Sequence, residues 1–203
     1  MRLASIAALL ILASASAAAQ EPSGCDKFKW PLDKERATLN GTDLPKVNSG
    51  DRIAWPIPFA ATIALSDFAD AKLPFPPERA PKSPASFAGF IQVSAPPKAA
   101  TYKITLSSES WIDVVQDGHT VKSSAFSGAV GCEGIRKSVK FELAARPFTL
   151  QLSGAPTDSI RIVVSSDRLR TARRQRRNGT KYGQVTAKAE LYSPHPPGYV
   201  ASE

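Results

Sequence analysis

The sequence predicts a mainly β protein: an antiparallel β-sandwich of jelly-roll or immunoglobulin-like type, with a short amino-terminal helix and a flexible carboxyl-terminal tail. Three observations predict it. From Asp51 onward apolar residues recur at every second position, the period of strands with one buried face. No long helical pattern interrupts these runs, and the connections between Tyr102 and Val164 are short and rich in turn formers.

The chain opens with the features of a removable export signal. Arg2 supplies the positive start, Ile6 to Leu12 an apolar centre, and Ala17, Ala18 and Ala19 the small residues before a cleavage expected ahead of Gln20. The expected location is therefore a bacterial periplasm or the extracellular space. The apolar run is shorter than the roughly 20 residues needed to cross a bilayer, and no later segment approaches that length, so no transmembrane segment is expected. Lipid attachment at Cys25 is not expected either, because Glu21-Pro22-Ser23-Gly24 precedes it where a lipidation signal carries small apolar residues.

In an oxidising compartment the only two cysteines, Cys25 and Cys132, are expected to form a disulfide rather than a metal or catalytic pair. The bond would pin the amino-terminal arm, residues 20–50, onto the domain. Within that arm Pro31 suits a first helical turn, Asp33 and Glu35 favour its amino-terminal end, and Asn40-Gly41 is a common stop. A helix over 31–40 places Leu32 and Leu39 on one face, against what Phe28 and Trp30 also cover.

The sandwich is expected over 51–167. Alternation marks Ile53, Trp55 and Ile57; Tyr102, Ile104 and Leu106; Val139, Phe141 and Leu143; Phe148, Leu150 and Leu152; and Ile160, Ile162 and Val164. The segment from Leu73 to Ser86 holds five prolines and is expected to be a loop crossing between strands. The sharpest local signal is Asp117-Gly118 between Trp111–Gln116 and His119–Ser123, a hairpin whose turn needs positive φ at both central residues. That register pairs Gln116 with His119, Val114 with Val121 and Asp113 with Lys122. It sends Ile112, Val114 and Val121 to the core, and Trp111, Asp113, Val115, Thr120 and Lys122 to the opposite face.

Residues Ala99 to Leu106, the Trp111–Gln116 strand and Phe148 to Leu152 give residues 87–166 a rhythm that resembles the pre-peptidase C-terminal modules of exported bacterial proteins. The resemblance implies a small β-sandwich acting as a non-catalytic accessory or binding module. The acidic cluster of that family is represented only by Asp113 and Asp117, so calcium is not expected, and neither is any other cofactor.

The charge of +8 is concentrated near the carboxyl end. Arg168, Arg170, Arg173, Arg174, Arg176, Arg177 and Lys181 follow one another with no acid among them, and without these and Arg2 the body is close to neutral. A phosphate-tracking domain surface, and with it specific nucleic-acid binding, is not expected. The run Arg173, Arg174, Arg176 and Arg177, within the tail 168–203, either meets anionic surfaces by charge attraction or is simply solvated.

Catalytic constellations are weak. Ser108 or Ser110, His119 and Asp113 supply the residue types of a hydrolase triad, but the hairpin register sends Asp113 and His119 to opposite faces. His195 lies among prolines, two isolated histidines make no usual zinc site, and no metal centre is expected. No paired carboxylates or phosphate-cradling glycine loop occur; Gly128, Gly131 and Gly134 fit an irregular loop around Cys132. Asn40-Gly41-Thr42 and Asn178-Gly179-Thr180 match the glycosylation pattern, which a bacterial chain reduces to coincidence.

The one candidate binding residue is Trp111, either covered by the second sheet or the amino-terminal arm, or exposed as a platform with Thr120 and Lys122 beside it. The expected function is an exported, non-enzymatic binding or accessory module that holds a protein or an envelope glycan. The alternatives are a structural adaptor that contacts anionic surfaces through the arginine-rich tail, and an unrecognised periplasmic hydrolase.

Overall fold

A computed structural model describes residues 20–55 and 59–167; the expectations for the signal, Ile57, the arginine run and His195 fall outside these residues. A 3-10 turn at Cys25–Lys27 precedes helix α1 (Asp33–Leu39). The strands are β1 (Lys46–Val47), β2 (Arg52–Ile53), β3 (Phe59–Ala64), β4 (Ser66–Asp67), β5 (Phe87–Val93), β6 (Ala100–Leu106), β7 (Trp111–Gln116), β8 (His119–Thr120), β9 (Ser123–Gly128), β10 (Lys137–Leu143), β11 (Phe148–Ala155) and β12 (Ser159–Ser166).

They form two sheets. Sheet one has the order β1-β3-β12-β6-β10-β9, and sheet two the order β2-β5-β11-β7-β8, with β4 beside β5. Strands β3, β5, β6, β7 and β9 alternate between the sheets, while β9 and β10 are neighbours within sheet one, and the two sheets stack as a β-sandwich. The short outermost pairs β1–β3 and β2–β5 are parallel, so both sheets are mixed where an all-antiparallel pair was expected.

The alternating residues behave as their period requires. Tyr102, Ile104, Leu106, Phe141, Leu143, Ile160, Ile162 and Val164 of sheet one meet Ile91, Val93, Ile112, Val114, Leu150 and Leu152 of sheet two in one core cluster. Trp55 packs on Tyr102 with ring centroids 5.7 Å apart, although the strand that carries Ile53 ends before it. At about 25 cal/mol per Å² of buried apolar surface, this cluster is the main source of stability.

The outer faces are not left to water. The amino-terminal arm covers sheet one: Leu32 and Leu39 pack with Cys132, Ile135 and Val163, flanked by Phe28 and Trp30. Cys25 is bonded to Cys132, as expected, with Cα atoms 4.8 Å apart. Under the arm, Glu35 Oε1 lies 2.7 Å from Lys103 Nζ and accepts a 2.6 Å hydrogen bond from Ser165. The Trp30 indole donates to Ser138 Oγ, which itself bonds Thr105. Gly131 and Gly134 both hold positive φ in the loop around Cys132, and a Cβ at Gly134 would strike the Asn40 side chain just past α1.

The proline-rich segment joins β4 to β5 within sheet two and folds over that sheet's outer face. Phe75 exchanges hydrogen bonds through its backbone with the side chain of the fully buried Gln151, at 2.9 and 3.1 Å. The segment is thus a loop as its prolines require, and it also forms a fourth layer.

Candidate functional site

The hairpin turn is built as its Asp-Gly pair demands, with φ of 51° at Asp117 and 76° at Gly118. Gln116 pairs with His119 and Val115 with Thr120, and the Val121 amide donates to the Val114 carbonyl. Beyond that point the expected register fails. The chain leaves sheet two after Val121 and re-enters sheet one at Ser123 as β9, so the second arm of the hairpin is only two residues long. Lys122 is therefore exposed and is not the partner of Asp113. Thr120 is exposed too, and neither residue lies beside Trp111.

Asp113 is 3 % exposed and accepts a 2.8 Å hydrogen bond from the Trp111 indole, while its second oxygen has no partner. Burial pushes its carboxyl above the usual aspartate range, against the lowering effect of the Trp111 hydrogen bond and the neighbouring Glu78 amide. His119 stands exposed with Nδ1 2.8 Å from the Asp117 carbonyl, and Ser110 donates to the Ser153 carbonyl. The structure does not bring these three residue types together as a triad. No group of three or more His, Cys, Asp or Glu side chains arranged for a metal occurs among the described residues.

What the crossing at Val121 creates is a cleft. Because β8 stops short and β9 belongs to the other sheet, the sandwich stays open between β7 and β9, with the end of the proline-rich segment, Glu78 to Ser86, beside the opening. The cleft has a volume of about 670 Å³, within the range of small-molecule sites. Ile112, Val139 and Phe141 make its apolar floor. Phe126 pairs with Val139 across sheet one, so its ring lies on the inter-sheet side, where it remains 49 % exposed.

Trp111 is half-buried in the wall, and its ring carries two cations: Arg79 at 5.4 Å and Lys137 Nζ at 5.3 Å from the centroid. Lys137 Nζ also lies 5.6 Å from the Phe126 centroid and donates a 2.6 Å hydrogen bond to the Ser110 carbonyl. Burial pushes this ammonium below the usual lysine range; Glu109 opposes the effect, while Arg136, Arg79 and Lys82 reinforce it. Arg136 spans Glu21 and Glu109 at 2.7 and 2.9 Å. In the same wall the hydroxyls of Ser86 and Ser153 are buried without a hydrogen-bond partner.

Trp111 thus belongs to the cleft, but as a seat for cations rather than as a bare platform. Lys137, Phe126, Arg79, Ser86 and Ser153 were not anticipated. One signal was present in the sequence: Lys137 occupies an inward position of the Val139, Phe141, Leu143 alternation, a cation where the pattern calls for an aliphatic residue.

Fold and site together define a β-sandwich with a ligand-sized cleft between its sheets. No protein-family model, curated protein or solved structure matches the chain.

Proposed function

We propose that this protein is an exported, non-catalytic binding module that holds an envelope glycan in the inter-sheet cleft. The observation that carries the reading is the half-exposed Phe126 ring at a cleft with an apolar floor and the exposed hydroxyl residues Ser83 and Ser123 in its lining. A sugar presents both an apolar C–H face and a ring of hydroxyls, and this wall offers a counterpart for each. The sequence features of an export signal and the resemblance to accessory modules of exported proteins support the same reading. So does the disulfide, a bond that persists in oxidising compartments.

The test is calorimetric titration of the protein with a panel of bacterial envelope saccharides, alongside Phe126→Ala. Binding that disappears in the variant, with no sugar turned over, supports the proposal. Affinity that survives Phe126→Ala but is lost when Arg173, Arg174, Arg176 and Arg177 become glutamine would instead favour contact with anionic surfaces through the tail.

A further inference from the structure

Lys137 is the least accommodated group in the cleft. Its residue is only 6 % exposed, its ammonium has three donors, and one hydrogen bond, to the Ser110 carbonyl, is found for it. No carboxylate lies within 4 Å of Nζ among the described residues; of the three acids of the same wall, Glu21, Glu78 and Glu109, the first and last are bridged by Arg136 instead. A buried ammonium with no carboxylate in contact carries a desolvation cost that Glu109 at longer range and the rings of Trp111 and Phe126 offset only in part.

The remaining charges of the wall point the same way. Counting the bridging Arg136, the cleft wall holds four cations, Arg79, Lys82, Arg136 and Lys137, against the three acids Glu21, Glu78 and Glu109, a small positive excess. Arg79 and Lys137 are both held on the Trp111 ring, which keeps two cations side by side without pairing either to an acid. Building on the glycan reading above, we infer that the sugar held in this cleft is an acidic one, a uronate-type saccharide whose carboxylate pairs with the Lys137 ammonium and faces Arg79. Its C–H face lies toward Phe126 and its hydroxyls toward the exposed Ser83 and Ser123. A charge-assisted hydrogen bond in so buried a place accounts for selection of the acid over its neutral counterpart.

The experiment titrates the full-length protein, by calorimetry, with a hyaluronan tetrasaccharide, a galacturonate trimer and sialyllactose. Each is paired with its carboxyl-reduced or neutral counterpart, and a glutamate-rich peptide is included. The expected result is that at least one acidic sugar binds about tenfold or more tighter than its neutral partner. Lys137→Gln should collapse that ratio to about unity, with the fold verified by circular dichroism. Because Lys137 is buried, the exposed Arg79→Gln serves as the second variant and should reduce the ratio about threefold or more.

Equal binding of acidic and neutral sugars would overturn the acid preference and leave the glycan reading standing. An acid preference untouched by both variants would place the carboxylate elsewhere and also overturn it. Failure of every saccharide would remove the glycan reading as well, and capture of the acidic peptide alone would replace it with a protein ligand.

Discussion

The Nζ of Lys137 stands 5.3 Å from the centroid of the Trp111 ring, a cation from sheet one held on an aromatic of sheet two. The same indole donates to Asp113, so one side chain joins the cleft wall to the buried outer face of sheet two. Trp111→Phe keeps a ring under Lys137 and Arg79 but leaves both oxygens of Asp113 without the indole. It should cost roughly 1–3 kcal/mol in urea unfolding. Trp111→Ala, which also opens a cavity, should cost about 3 kcal/mol or more. A Trp111→Phe variant as stable as the wild type would show that the Asp113 hydrogen bond contributes nothing.

Asp113 itself should weaken the fold at neutral pH. Its folded pKa is raised by burial above the unfolded value of 3.8, so the acid form is the favoured one in the native state. The stability it contributes is present below that value and is lost as pH rises through the raised folded pKa. Asp113→Asn keeps an acceptor for the indole and removes the charge. It should stabilise by about 1 kcal/mol at pH 7 and give no gain at pH 3, as measured by thermal melts at the two pH values.

Glu35 has the opposite sign. Burial alone would raise its carboxyl, but hydrogen bonds from Lys103 and Ser165 outweigh that and hold it below the usual range. Its contribution is therefore full above the unfolded value of 4.5 and fades as pH falls through the lowered folded pKa. Glu35→Gln leaves the Lys103 ammonium without its counter-ion and should cost about 3 kcal/mol at pH 7, whereas Glu35→Leu combined with Lys103→Met should recover most of that loss. Chemical denaturation of the three variants measures both, and a double variant no better than the single one would contradict the account.

The Cys25–Cys132 bond closes a separation of 107 residues. Chain entropy sets an upper figure of about 4.7 kcal/mol for such a loop, and replacing both cysteines by serine should lower the melting temperature accordingly. Hydrogen exchange should then rise first in α1 and in the Thr105–Ser138 pair beneath the arm. Exchange that rose uniformly through both sheets would show that the bond braces the whole sandwich rather than the arm.

The strands that bury one aliphatic face, the Asp117-Gly118 turn, the helix after Pro31 and the pairing of the two cysteines were all legible in the order of residues. Each rests on local chemistry: a two-residue period, a backbone requirement for positive φ, acidic residues in a first helical turn with Asn40-Gly41 at the stop, or a count of two. Strands β3, β5 and β9 were less legible, since Phe59–Ala64 is mostly small residues, Phe87–Val93 is apolar on both faces, and Ser123–Gly128 is nearly polar throughout. What covers the second face of each sheet came from the packing of distant segments, because alternation names a buried side and says nothing about a further layer packed on the other. Lys103, Thr105, Asp113, Ser138 and Gln151 read as outward residues, and all are shielded by an arm or a loop distant in sequence. The cleft was hidden for the same reason: it exists because the chain changes sheets at Val121 and Lys122, and which sheet a strand joins depends on partners far along the chain.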